Sequence, residues 1–210
     1  MNISIEKKIF SEAVHIAARF AERKNTTLPI LSTILIIAAD DGIKIRATNL
    51  ETGIDLKIEG ECKSKGVVAI PAIILQQIAT SLTYEGKITL EHHGDIISFL
   101  SGTGKSLIKT VPHEDFPSIP FPENPQNRIV IPGVLLRSLF TSIAFCASSS
   151  TIRPELASIY ISIEGGVLTA VATDSFRLAE KKIPLISKGT QGKFLIPAKN
   201  ALDIAQALPD

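Results

Sequence analysis

Residues Gly102-Thr103-Gly104-Lys105-Ser106 are of the types that could hold a nucleotide phosphate: two glycines, a lysine and a hydroxyl. In a phosphate loop the glycines let backbone N–H groups close on the phosphate, the lysine supplies charge and the hydroxyl reaches a metal ion. That chemistry needs another glycine five residues ahead of Gly104, where this chain has Phe99, and a helix behind the loop, where residues 107–111 read as a strand. The segment therefore reads as the turn of a β-hairpin. An enzyme built on it would be stabilised against heat by ATP with magnesium, and a flat response would remove that reading.

The other chemically suggestive residues also resolve into turns. His92 and His93 are adjacent, so on a strand they point to opposite faces, and no further ligand stands at a spacing that completes a metal site. Ser148-Ser149-Ser150-Thr151 reads as a polar loop after a helix, with no Gly-x-Ser-x-Gly elbow to make a nucleophile. Asp40-Asp41 and His113-Glu114-Asp115 read as acidic turns. The sequence offers no catalytic constellation, no metal-ligating set and no need of a cofactor.

Thr173-Asp174-Ser175-Phe176-Arg177-Leu178 is different: a strand ends, and an aromatic, an arginine and a leucine follow directly. Such a cluster either packs between subdomains or forms a peptide-docking groove, where aromatic and arginine side chains supply much of the binding energy.

The elements that must position this cluster are repeated along the chain. Residues 158–183 have a partial copy at residues 33–58. Each copy is an apolar run, a turn (Asp40-Asp41-Gly42; Glu164-Gly165-Gly166) and a β-rich strand ending in Ala47-Thr48-Asn49 or Ala172-Thr173-Asp174, which is a hairpin signature. Four further segments, residues 5–18, 70–82, 131–144 and 196–208, carry apolar residues at helical spacing. The stripes are Ile9, Phe10, Ala13, Val14 and Ala17; Ile74, Leu75, Ile78, Ala79 and Leu82; Leu135, Leu136, Leu139, Phe140 and Ile143; and Ala201, Ile204, Ala205 and Leu208. In the last three a short strand runs into Ile-Pro, with proline expected in the first helical turn. The starting isoleucines fall at 5, 70, 131 and 196, so the spacings are 65, 61 and 65 residues. The chain reads as half-units of strand, helix and a run of strands, two to a domain.

In chain order, the first helix is expected over residues 10–23, and strands over 2–5, 67–70, 87–90, 96–100 and 107–111. Five prolines fall within residues 112–127, which marks a linker. The strands that should follow the last helix are absent, leaving a sheet edge unpaired. At 210 residues the chain suffices for two domains. Its longest apolar run is too short for a bilayer, and no signal peptide is visible. Cys62 and Cys146 lack a partnering motif, as expected in a reducing cytoplasm, and Cys146 reads as core. The net charge of +1 does not argue for nucleic acid. On the helices and at their ends, Arg19, Arg23, Lys24, Arg137 and Lys199 outnumber Glu12, Glu22 and Asp203 by two, a weak basic face that could guide a polyanion.

Four stretches carry a family resemblance: Thr27-Leu28-Pro29-Ile30-Leu31-Ser32, Ala47-Thr48-Asn49-Leu50-Glu51, Glu114-Asp115-Phe116-Pro117, and Ala172-Thr173-Asp174-Ser175-Phe176-Arg177-Leu178-Ala179. In their order and spacing the chain resembles the bacterial DNA sliding clamp, the β subunit of DNA polymerase III. The resemblance implies an α+β clamp fold with helices on one face and antiparallel sheets on the other. It implies clamp domain 1 at residues 1–120, a linker at 121–127 and an incomplete clamp domain 2 at 128–210, with the family's third domain absent. It also implies a cytoplasmic, non-catalytic processivity factor that encircles double-stranded DNA as a homodimeric ring. That ring tethers the polymerase catalytic subunit, and the clamp loader and repair proteins reach it through short linear peptides. The DNA-binding positions implied are Lys24, Asn25, Arg137, Arg153 and Lys199, and the peptide pocket wall is Leu156, Thr173, Ser175, Phe176, Arg177 and Leu178. The sequence departs from the family at Ser175-Phe176, where Gly-His is usual, at helix 72–82, which has no basic residue, and at Glu155, Asp203 and Gln206. As given, the chain is expected not to close the usual ring. The alternative is a stand-alone clamp-like module that binds peptides without encircling DNA.

Overall fold

The structure, a computed structural model, describes residues 1–22, 28–83, 85–102, 104–120, 129–185 and 191–208. Its contacts divide the chain into two compact units, Met1–Pro120 and Phe121–Asp210. No described helix is long and apolar enough to cross a membrane.

The first unit runs β1 (Asn2–Glu6), α1 (Lys7–Ala17), β2 (Thr33–Ala39), β3 (Gly42–Thr48), β4 (Gly53–Ile58), β5 (Glu61–Ser64), β6 (Gly66–Pro71), α2 (Ala72–Ser81), β7 (Lys87–His93), β8 (Ile96–Ser101) and β9 (Gly104–Lys109). It forms two antiparallel sheets, ordered β5-β1-β7-β8-β9 and β4-β3-β2-β6. The opening strand of each half-unit crosses to the other half's meander: β1 pairs with β7, and β6 pairs with β2. The two halves are therefore interlocked. Helices α1 and α2 pack together, and Ser11 Oγ donates to the Ala79 carbonyl at 3.2 Å.

Burial follows from side-chain periodicity. Along β3, Ile43, Ile45 and Ala47 alternate into the core beneath α1, while Lys44 and Arg46 take the opposite face. Strand β2 is apolar on both faces because its second face also meets apolar cover: Leu35 joins Ile30, Leu31 and Ala69 in a small cluster that Val111 and Phe116 close. On that second face the guanidinium of Arg46 reaches Asp55 at 2.6 Å across the β3–β4 pair.

Several elements differ from the sequence expectation. Helix α1 ends at Ala17 and not at 23; Arg19 and Phe20 donate instead to Ile16 and Ala17 in a tighter turn that buries Phe20 and Ala21. Pro71, Pro132 and Pro197 are N-cap residues and not the first helical residues, all with φ near −52° and ψ near 130°. That conformation opens each helix directly, and at Pro71 and Pro197 it also ends a strand. Strand β9 spans Gly104–Lys109, and Val111 makes a single bridge to Ala69. Ile74 and Leu135, read as part of the buried stripes, are exposed: Ile74 lies one step around the helix from buried Leu75, and Leu135 lies a turn nearer the N-terminus than buried Leu139.

The second unit contains α3 (Gly133–Ile143), β10 (Ser158–Glu164), β11 (Val167–Thr173), β12 (Leu178–Pro184), β13 (Gly192–Pro197) and α4 (Ala198–Ala207). Its sheet, β12-β11-β10-β13, repeats the order of β4-β3-β2-β6. Leu139, Phe140 and Ile143 of α3 and Ala201 and Ala205 of α4 meet Ile159, Ile161, Leu168 and Ala170 in one core, which also buries Cys146. Cys62 is exposed and both thiols are free. Residues 129–132 form no strand, contrary to expectation. Their counterpart β1 is held by β7, which follows the next helix, and no described strand follows α4.

The motif-like loop lies between β8 and β9, with Thr103 outside the described residues, and a strand, not a helix, follows it. Burial holds the His92 imidazole below its ordinary value, and the Met1 ammonium, His113 and His93 add repulsion. Its backbone also accepts from the Met1 ammonium at 3.3 Å. The unfolded chain therefore binds this proton more readily than the folded one, so stability is full above about pH 6.5 and falls as pH drops below it. The first unit is expected to melt at a lower temperature at pH 5.5 than at pH 7.5, and His92→Gln should flatten that dependence.

Candidate peptide-docking turn and nucleic-acid face

The turn joining β11 to β12 is built by two side chains. Thr173 Oγ1 donates to the Arg177 carbonyl at 2.8 Å and accepts from the Ser175 N–H at 3.2 Å. The Asp174 carboxylate accepts the N–H groups of Phe176 and Arg177, each at 3.0 Å, and the Arg177 Nε–H at 2.9 Å. These backbone donors, with Arg177 behind them, hold the Asp174 carboxyl below the usual carboxylate range.

The same turn joins β3 to β4. Thr48 Oγ1 donates to the Thr52 carbonyl at 2.8 Å and accepts the Leu50 N–H, and Asn49 Oδ1 accepts the N–H groups of Glu51 and Thr52. In both copies the third residue is left-handed, Leu50 at φ 71° and Ser175 at φ 77°. The recurrence extends the internal repeat to individual hydrogen bonds, and it shows that Thr-Asx specifies the turn while the residues after it are free to vary. A residue with a Cβ is strained in that conformation by about 1 kcal/mol. Ser175→Gly is therefore expected to raise the melting temperature of the second unit by a few degrees without altering its fold.

What the second turn displays is apolar. Phe176 is 98% exposed, Leu178 is largely exposed, and Arg177 lies over the Phe145 ring at 5.7 Å from its centroid. Phe145 and Ile152 are themselves exposed. Leu156 is half-buried and anchors this loop, accepting the Ser148 N–H at 2.8 Å, while its own N–H reaches the Arg153 carbonyl. Grouped on one turn and on the helix end that its arginine covers, these exposed apolar side chains fit a surface that binds.

Of the residues assigned to a pocket wall, Thr173, Ser175, Phe176, Arg177 and Leu178 share this turn, and Leu156 ends the loop that leads into β10. Among the residues assigned to DNA, Lys24 and Asn25 lie outside the described residues. Arg137 is on α3 and Lys199 on α4, helices that pack together, and Arg153 is in the exposed loop before Leu156. The sequence reading missed Phe145. It follows a helical apolar stripe and reads as core, but the chain tightens into a 3-10 turn at Ala144–Cys146 that buries its two neighbours and turns Phe145 out.

Comparison with known proteins gives a consistent result. Residues 1–120 match the family described as DNA polymerase III beta subunit, N-terminal domain, and residues 130–210 match its central domain. The beta sliding clamp of Micrococcus luteus is 28% identical over 214 residues, covering 99% of this chain and 66% of the relative. A solved DNA polymerase sliding clamp from Bacillus subtilis superposes with a TM-score of 0.89 at 26% identity, covering all of this chain and 57% of its own. A sliding clamp from Pseudomonas aeruginosa bound to griselimycin gives a TM-score of 0.86 at 25% identity, covering 98% and 56%. The chain thus spans less than two thirds of the length of these proteins.

Proposed function

Because the chain belongs to the DNA polymerase III β-subunit family through both its N-terminal and its central domains, we propose that it acts within a sliding clamp, a processivity factor that holds a DNA polymerase on duplex DNA. The observation that carries this reading is the match of both family domains, in order, over nearly the whole chain. A clamp works by topology, so its own chemistry is weak phosphate contact and peptide capture, with no bond made or broken. The phosphate contacts fall to Arg137 and Lys199 on the paired helices and to Arg153, with Lys24 and Asn25, which lie outside the described residues, as the contribution of the first unit. Few contacts mean shallow salt dependence, about 0.9 per phosphate neutralised, and a grip that slides. Polymerase, clamp loader and repair partners dock as short peptides against Leu156 and the 173–178 turn, Arg177 and Phe176 supplying the larger share of the energy.

Griselimycin, the ligand of the Pseudomonas aeruginosa clamp, is the probe. Titrated into the isotopically labelled chain, it is expected to shift the amide signals of Leu156 and residues 173–178 saturably. Shifts confined to other parts of the chain, or none at millimolar ligand, would overturn the assignment of the docking turn.

A further inference from the structure

The two copies of the repeat separate what the fold requires of the docking turn from what is added to it. Ala13, Val14 and Ala17 on α1 correspond to Leu139, Phe140 and Ile143 on α3. Each helix is followed by a tight turn that buries two residues and leaves the one between them nearer the surface: Ala18, Arg19 and Phe20 in the first unit, and Ala144, Phe145 and Cys146 in the second. The Thr-Asx turns correspond likewise, so Glu51, Thr52 and Gly53 stand where the second unit has Phe176, Arg177 and Leu178. The shared backbone therefore needs neither an aromatic at 145 nor an arginine at 177.

In the second unit these two residues meet. The Arg177 guanidinium carbon lies 5.7 Å from the centroid of the Phe145 ring, within the range at which arginine is attracted to an aromatic face. Its Nε–H donates to Asp174 Oδ2 at 2.9 Å. A single bond at Nε leaves the guanidinium plane free to pivot, and the ring supplies the second restraint. The side chain nevertheless remains 56% exposed, and its Nη groups make no hydrogen bond to a described residue. An arginine ordered only by its ligand loses rotamer freedom on binding, whereas one already held does not.

We propose that Phe145 is a positioning residue of the docking turn: its ring holds the Arg177 guanidinium so that the Nη donors are set in advance for a main-chain carbonyl of the bound peptide. Arg177 makes the contact, and Phe145 acts through it. The inference rests on the peptide reading of that turn.

The test titrates griselimycin into side-chain variants of the full chain. Phe145→Leu keeps an apolar side chain but removes the ring, and is expected to bind about fivefold more weakly, the effect of losing an exposed contact between a cation and an aromatic face. Phe145→Tyr keeps the ring and is expected to bind as the wild type does. Combined with Arg177→Ala, Phe145→Leu should add no further loss, because the residue it acts through is gone. Without ligand, the Arg177 Cδ protons should resonate upfield in the wild type and in Phe145→Tyr and lose that shift in Phe145→Leu, a signature that a merely structural role would not produce. Phe145 is 61% exposed, so Phe145→Leu should melt at the wild-type temperature. Equal affinity of Phe145→Leu and a wild type that still shifts residues 173–178 would overturn this proposal and leave the docking turn standing. Losses that multiply in the double variant would make Phe145 a direct contact and overturn it as well. A wild type that shows no shift at Leu156 and residues 173–178 would overturn the docking turn, and this proposal with it.

Discussion

Phe10→Ala is expected to lower the stability of the first unit by about 4 kcal/mol. Phe10 is fully buried, and its ring meets that of Phe99 at a centroid distance of 6.0 Å. It fastens α1 to β8, an element from the other half-unit, so the cavity left by truncation opens where the two halves interlock. Ile3, Ile5 and Ile88, buried on strands of the same sheet as Phe99, are fixed by strand pairing and do not shift easily to fill a cavity. Urea unfolding followed by hydrogen exchange resolves the units: amides of β1, β7 and β8 should lose protection at markedly lower denaturant while those of β10 and β11 do not move. A shift below about 1 kcal/mol, within the range of a minor surface change, would show that α1 is not the element that joins the halves.

Leu178→Asp is expected to weaken griselimycin binding at least thirty-fold, the effect of removing one central hot-spot contact of about 2 kcal/mol. Leu178 opens β12 with its side chain largely in solvent, so the substitution leaves the core of the second unit untouched. It also places a carboxylate beside the Asp174–Arg177 pair, where it competes for the guanidinium that otherwise lies over Phe145. Asp174→Asn, which keeps the two backbone acceptor bonds but weakens the hold on Arg177, should show a smaller loss. Equal losses for both would place the energy in the turn's shape and not in its apolar display.

The repeat was legible because its signals are local: Ile-Pro ahead of each helix, a glycine-bearing turn between β-branched runs, and Thr-Asx at the end of β3 and of β11. Each is set by backbone dihedrals or by hydrogen bonds within a few residues, which sequence spacing reports directly. The turn between β11 and β12 was legible for the same reason. The crossing of β1 and β6 between half-units was not, because any apolar strand satisfies the pattern and the choice of neighbour is made by packing between residues distant in sequence, such as Asn2 with Glu91 and Thr33 with Pro71. Phe145 was hidden by a change from α to 3-10 winding that shifts which side of the chain faces out.

Because β1 is held by β7, the first strand made must wait for residues near 91 before its sheet can close. On a ribosome this keeps Ile3 and Ile5 exposed until the second half of the unit has left the exit tunnel, and a pause between the halves would lengthen that exposure. Loop closure over so long a separation is slow to nucleate. The half-unit is therefore a unit of pattern and not a unit of folding: a chain cut between β5 and β6 would leave two pieces, each missing a central or edge partner supplied by the other, and each competent to fold only when the two are made together.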